Sequence, residues 1–235
     1  MKGGVAVARE GKILSRLVWD RDVSHGELLT PALQRAVEDA GLKMSDLTRI
    51  AIGHGPGSFT GVRITVNAAR ALGYALRIPI AVYDTAELLA AGVVRLEPLI
   101  GGGAPAAAPL PVLTLINAQK NLVFASTFVR AGKRWKRTTP LEAISLGNVE
   151  NIVTGPHLCV GDGYLELESA MSPALRSRLL RDAAVPDFPT PEALVTLDQT
   201  ERSHRPALVW KDVQALYIRA SGAEEKLEES RRQKP

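Results

Sequence analysis

Apolar and polar positions alternate from the start of the chain. Val5-Ala6-Val7-Ala8, a turn at Arg9-Glu10-Gly11 and the run 12–19 predict a β-hairpin. Ser24-His25-Gly26-Glu27 has the spacing of a capping box, and Leu28, Leu29, Ala32, Leu33, Ala36, Val37 and Ala40 then follow at helical spacing up to Gly41. Ile50-Ala51-Ile52 is a short apolar run that reads as a buried strand. A glycine-rich loop from Gly53 to Gly61 leads into a helical pattern over 62–76. Ile80-Ala81-Val82 predicts another strand, and Asp84-Thr85-Ala86-Glu87 opens a helix running to about residue 96. A hairpin followed by alternating helices and strands is an α/β lobe.

The pattern stops at 101–111, GGGAPAAAPLP, which has no periodicity and reads as a linker without chemistry. A second lobe begins at Val112-Leu113-Thr114-Leu115-Ile116, with 122–129 as its hairpin partner. Residues 152–160 read as a strand, and 173–181 and 191–197 as short helices. The predicted organisation is a first lobe over 1–98, a linker over 99–111, a second lobe over 112–220 and a charged tail over 221–235. A hairpin leading into α/β elements recurs in both halves, as in a duplicated fold.

The helix at 62–76 carries information on three faces. Val62, Val66, Ala69 and Gly73 form one apolar stripe with small residues, and Ile64, Ala68, Ala71 and Ala75 form a second. Arg63, Asn67, Arg70 and Tyr74 fall on a polar face. Two apolar sides suit a helix that is either sandwiched in the core or packed on its own sheet and on a partner. The loop before it is neither a Walker A motif, since Gly61 is followed by Val62, nor a dinucleotide fingerprint, since Thr60 stands where the third glycine belongs. Strand, glycine loop and helix in this order can still present backbone N–H groups to an anion, here through Gly55, Gly57, Ser58, Thr60 and Gly61.

The stretch GPGSFTGVR with its alanine-rich helix resembles the signature of the bacterial TsaB (YeaZ) family. His25-Gly26-Glu27-Leu28-Leu29, Ile78-Pro79-Ile80, Gly161-Asp162-Gly163 and Tyr217-Ile218-Arg219 extend the resemblance, which is dense over the first 90 residues and scattered beyond them. It implies a two-lobe actin/sugar-kinase/Hsp70-like fold with RNase H-like lobes. It further implies a non-catalytic, glycoprotease-like partner of a TsaD-type catalytic subunit in making threonylcarbamoyladenosine on tRNA. A TsaE-type ATPase as further partner, homodimerisation when alone, an indirect association with tRNA and a cytoplasmic location come with it. The partner surface it implies lies on the helices at 25–40 and 62–76, with His25, Glu27, Leu28, Arg63, Asn67, Arg70, Gly73 and Tyr74.

Two departures from the family pattern bear on chemistry. The strand ending in Asp-Thr-Ser that precedes the hairpin in similar sequences does not stand before the hairpin here, although in this fold class it lies in mid-sheet between the hairpin and the strand at 50–53; either the start lies upstream or the lobe is rearranged. At the start of the second lobe, Asn117-Ala118-Gln119 stands where the family has Asp-Ala-Arg. An ATPase of this class needs carboxylates at both places to position Mg²⁺ or water, so no catalytic residue is expected. No cofactor is expected either, beyond weak nucleotide binding through backbone groups.

Composition adds bounds. The chain has 235 residues, 46% of them hydrophobic, and a mean hydropathy of +0.02, enough for one large domain or two lobes. The single Cys159 cannot form an internal disulfide and reads as an inert core thiol in a reducing compartment. The four histidines, His25, His54, His157 and His204, include no close pair of the kind that holds metal in the catalytic relatives, so no metal is expected. The net charge of +4 permits an association with RNA without demanding it. Arg130, Lys133, Arg134, Lys136 and Arg137 around Trp135 read either as a nucleic-acid patch or as a solvated hairpin tip. Two alternative functions follow: a phosphotransferase or ATPase of the same fold class, and a homodimeric regulatory or RNA-associated protein.

Overall fold

The computed structural model describes residues 2–20, 25–93 and 109–219. The linker at 99–108 and the tail at 221–235 lie outside them, as does Ser24 with its proposed cap. The hairpin joins β1 (Lys2–Arg9) to β2 (Lys12–Asp20) in antiparallel register, with a bulge between Val7 and Ala8. Helix α1 (His25–Asp39) covers it: Val5 and Val7 pack against Ala36 and Val37.

β3 (Ile50–Gly53) and β4 (Ile80–Tyr83) form a parallel pair, joined through α2 (Phe59–Leu76). The buried stripe of α2 is Gly61, Val66, Ala69 and Gly73, which lies against Ile52 and Ile80. The helix starts one turn before the apolar pattern because Ser58 caps it, its hydroxyl accepting the Gly61 N–H at 3.3 Å. α3 (Thr85–Gly92) opens with the expected capping box, Asp84 and Glu87 each accepting the other's backbone N–H.

The second lobe is built on a single six-stranded sheet. Its strands are β5 (Val112–Asn117), β6 (Leu122–Ala131), β7 (Arg134–Arg137), β8 (Glu142–Ser145), β9 (His157–Val160) and β10 (Leu179–Leu180). They run in the order β10-β9-β5-β6-β7, with β8 also paired to β6. Strand period two sends Val112 and Ile116 of β5 to one face, against Ala86, Leu89 and Ala90 of α3. Leu113 and Leu115 go to the other face, against α4 (Leu146–Ile152), α5 (Asp162–Leu167) and α6 (Pro173–Arg176). Both faces are covered, which is why β5 reads as a continuous apolar run. Of the two segments expected otherwise, 152–160 holds a helix end and then β9, and 173–181 holds α6 and then β10.

The chain then returns to the first lobe. α7 (Pro191–Glu201) packs against β1, β2, β3 and α3. Ile80 and Leu208 exchange backbone hydrogen bonds of 2.9 and 2.8 Å, and Leu216 donates to the His54 carbonyl at 2.8 Å. Residues 191–219, expected in the second lobe, therefore pack in large part against the first. No helix among the described residues is long and apolar enough to cross a membrane.

Candidate functional site

The glycine loop leaves the C-terminal end of β3 and is pinned from two sides. Thr85, at the start of α3, donates its N–H to the Gly55 carbonyl at 2.8 Å and its hydroxyl to the Pro56 carbonyl at 2.6 Å. On the other side His54 Nδ1 lies 3.0 Å from the Gln214 carbonyl. Gly55 sits at φ +114°, and a Cβ there would lie 2.8 Å from the Leu216 carbonyl, so glycine is required. Gly57, two residues on, is under no such constraint. It has ordinary φ, and a Cβ would meet nothing within 4 Å. Gly61 is buried at the start of α2, while Ser58 and Thr60 are exposed.

Facing this loop, the turn after β5 carries Asn117, Ala118, Gln119 and Lys120. Gln119, Lys120 and Asn121 all adopt left-handed backbone conformations. The Asn117 side chain accepts the Gln119 N–H at 2.8 Å, and Arg219 donates to the Ala118 carbonyl at 2.7 Å. Between the two walls lies a cleft of about 410 Å³, floored by Phe124 and residues 216–219. No carboxylate is among its lining residues. Asp162 accepts the Asn117 N–H at 3.0 Å, and desolvation of its carboxyl there pushes its pKa up. Gly161 before it, at φ +112°, would bring a Cβ to 2.1 Å from the Leu115 carbonyl, so α5 and β5 are in backbone contact at the cleft's end. The cleft can offer backbone groups and an amide to an anion. The Ser58, Thr60, Lys120 and Arg219 side chains are also among its lining residues.

The expected partner face divides. Asn67 and Tyr74 are exposed, Tyr74 at 66%, and Arg70 is half-buried. Tyr74 meets Trp210 edge-on, ring centres 5.1 Å apart, extending α2 by an aromatic from the returning segment. Arg63 bonds the Tyr217 hydroxyl at 2.8 Å and stacks on Phe59 at 3.8 Å, at the rim of the cleft. Gly73 and Ala69 correct the expectation of a small-residue surface for a partner helix. Both are in the core, and a Cβ on Gly73 would lie 2.6 Å from Ile80. Their smallness serves the approach of α2 to its own sheet. On α1, Glu27 is exposed and Leu28 half-buried; the His25 side chain lies outside the described residues.

The basic segment is the β6–β7 hairpin. Arg134 forms a bidentate ion pair with Glu201, and Arg137 pairs with Asp84 while lying over Phe128. These two cations are spent on holding the lobes together, beside a second cleft of about 510 Å³ that also contains the Arg205–Glu87 pair. Sequence reasoning missed the buried network around Asp198. Its carboxylate accepts from Tyr83 at 2.9 Å and from Arg49 at 3.1 and 2.9 Å. These partners lie 115 and 149 residues away, and nothing local marks them. Burial and the neighbouring Asp198 push the Tyr83 phenol well up. Cys159 is buried, and desolvation pushes its thiol up to about 12.

Fold and cleft together define a two-lobed α/β protein of the actin/sugar-kinase/Hsp70-like class. A family model described as "TsaD: tRNA N6-adenosine threonylcarbamoyltransferase" matches residues 20–168. The chain belongs to that family, on its TsaB (YeaZ) side. It is 34% identical over 97 residues to the tRNA threonylcarbamoyladenosine biosynthesis protein TsaB of Bacillus subtilis, a match covering 41% of this chain and 42% of that protein. The TsaB of Escherichia coli is 34% identical over 71 residues, covering 30% and 31%. These matches thus span less than half the length of either relative. The fold of YeaZ from Pseudomonas aeruginosa superposes with a TM-score of 0.76 at 21% identity, over 92% of this chain and 94% of that one.

Proposed function

We propose that this protein is a non-catalytic partner subunit for a TsaD-type enzyme in threonylcarbamoyladenosine modification of tRNA. The observation that carries the reading is a contrast on one helix. The N-terminal end of α2 faces a cleft whose lining residues include no carboxylate, and its outer face presents Asn67 and Tyr74 to solvent beside Trp210 of the returning segment. Without a carboxylate at either loop, the cleft lacks the means to activate water or hold Mg²⁺ for phosphoryl transfer. Exposed tyrosine and tryptophan beside a half-buried arginine are the residue types that dominate interface energies. A TsaE-type ATPase would join the assembly through the catalytic subunit, and tRNA would be met indirectly. Alone, the protein would pair with itself through the same α2 face. Any nucleotide would bind weakly, through loop backbone.

Co-elution with the TsaD-type subunit of the same organism tests this. The wild-type chain should form a complex, and Tyr74→Ala with Trp210→Ala should weaken it at least tenfold while the melting temperature stays within a few degrees. Undiminished complex formation by a folded double variant would remove the α2 face from the reading. Stoichiometric ATP turnover by the isolated chain would overturn the non-catalytic assignment.

A further inference from the structure

The cleft of about 510 Å³ lies where the two lobes meet, at the margin of the six-stranded sheet. All four residues of β7, Arg134 to Arg137, line it. Side chains alternate between the two faces of a strand, so a cleft lined by four in a row meets the strand edge-on. β7 is the terminal strand of its sheet, and among the described residues no strand pairs with its outer side.

The backbone groups on that edge can be assigned one by one. Ala131 and Arg134 flank the turn at Gly132 and Lys133, and Thr138 donates to the Thr127 carbonyl at 2.8 Å. Hydrogen-bonded pairs recur every second residue of an antiparallel ladder, so Arg134, Lys136 and Thr138 turn their backbone toward β6. Trp135 and Arg137 turn theirs outward, and those groups have no backbone partner among the described residues. The walls beside them are apolar: Phe128, the Trp135 ring, Leu197, Pro206 and Leu208. Three cations of the lining are matched, Arg134 by Glu201, Arg137 by Asp84 and Arg205 by Glu87. Lys136 is exposed, and its ammonium has no acceptor among the described residues.

We propose that this cleft binds a small organic anion, a carboxylate carried on a flat apolar body. The body lies against the apolar walls, and the carboxylate takes the Lys136 ammonium and an outward N–H of β7. Glu87 and Glu201 in the same lining restrict the ligand to a single negative charge. The volume falls within the range of about 300–1,000 Å³ typical of small-molecule sites, which favour domain junctions and set a few polar groups among apolar walls. The site is separate from the cleft beside the glycine loop and independent of the partner-subunit reading.

The probes are 2-naphthoate and its uncharged carboxamide, each titrated into the full chain and followed by backbone N–H shifts in NMR spectra. Naphthoate should saturate with a Kd below about 1 mM and shift the Trp135 and Arg137 N–H signals. The carboxamide should bind at least about fivefold more weakly. Lys136→Gln should abolish that preference and leave the melting temperature unchanged, since Lys136 holds no partner in the fold. Equal binding of the two probes, a preference that survives Lys136→Gln, or shifts centred on residues 56–60 would overturn the site. So would a failure to saturate, which would leave the cleft to a macromolecular partner.

Discussion

The two lobes solve the problem of the buried sheet differently. In the second lobe, six strands share a continuous ladder, and apolar side chains cover both faces. In the first, the described strands form two pairs, and α7 packs against both, with the ion pairs Arg49–Asp198 and Arg16–Glu192 tying it to the start of β3 and to β2. The difference is that one lobe leans on packed apolar faces while the other sets charge beside packing, with different vulnerabilities. A ladder with packed faces fails when methylenes are removed. Charge set beside packing fails when a single buried carboxylate is removed.

That contrast predicts the largest effects. Asp198→Ala leaves the Tyr83 hydroxyl and the Arg49 guanidinium without their buried acceptor, and should cost about 3–5 kcal/mol in denaturant unfolding. Leu113→Ala in β5 should cost a comparable 2–5 kcal/mol through its cavity. The two separate by exchange: Asp198→Ala should deprotect β3 and β4 before β5, and Leu113→Ala the reverse. Simultaneous loss in both variants would show the lobes to be one cooperative unit and break the comparison.

Next in size is Gly73→Leu. Its new side chain would run into Ile80, itself fully buried, so overpacking should destabilise the fold by about 2–3 kcal/mol. A variant that melts normally and fails only to bind its partner would restore Gly73 to the surface.

The second lobe's thiol gives a smaller, pH-dependent effect. Cys159 rises in the folded state to about 12, from the ordinary thiol value of about 8.5. Its stabilising contribution is complete below the ordinary value and is lost as pH rises toward the folded one, since the unfolded chain ionises first. Stability should therefore fall by about 1–2 kcal/mol between pH 8.5 and 10 relative to Cys159→Ala. Identical pH profiles, or rapid alkylation of the folded protein at neutral pH, would contradict the burial.

How much of this was legible in the chain depends on the range of the interactions. β5 and the capping box at Asp84 were readable, because an apolar run and a three-residue spacing are local signals. The buried stripe of α2 was readable too, but its purpose was not. Small residues permit close approach without saying whether a partner or Ile80 approaches. β8, α4 and α5 were missed because their spans are short and carry little periodicity. The return of α7 to the first lobe was invisible for a further reason: its contacts with Arg49 and Tyr83 join distant positions whose residue types are ordinary. The smallest predicted effect marks the same limit. Gly57→Val fills open space and should change stability by less than about 0.5 kcal/mol, a difference from Gly55 that the loop's sequence does not show.

The outer face of α2 and the cleft at its start are told apart most directly by reconstituted tRNA modification. Activity of the TsaD-type subunit would be measured with the wild-type chain, with Tyr74→Ala plus Trp210→Ala, and with Ser58→Ala plus Asn117→Ala. The account predicts that the wild-type and cleft variants support modification within about twofold of each other, while the face variant loses at least tenfold. Loss of activity by the cleft variant, with the face variant intact, would contradict it and make the cleft the working site.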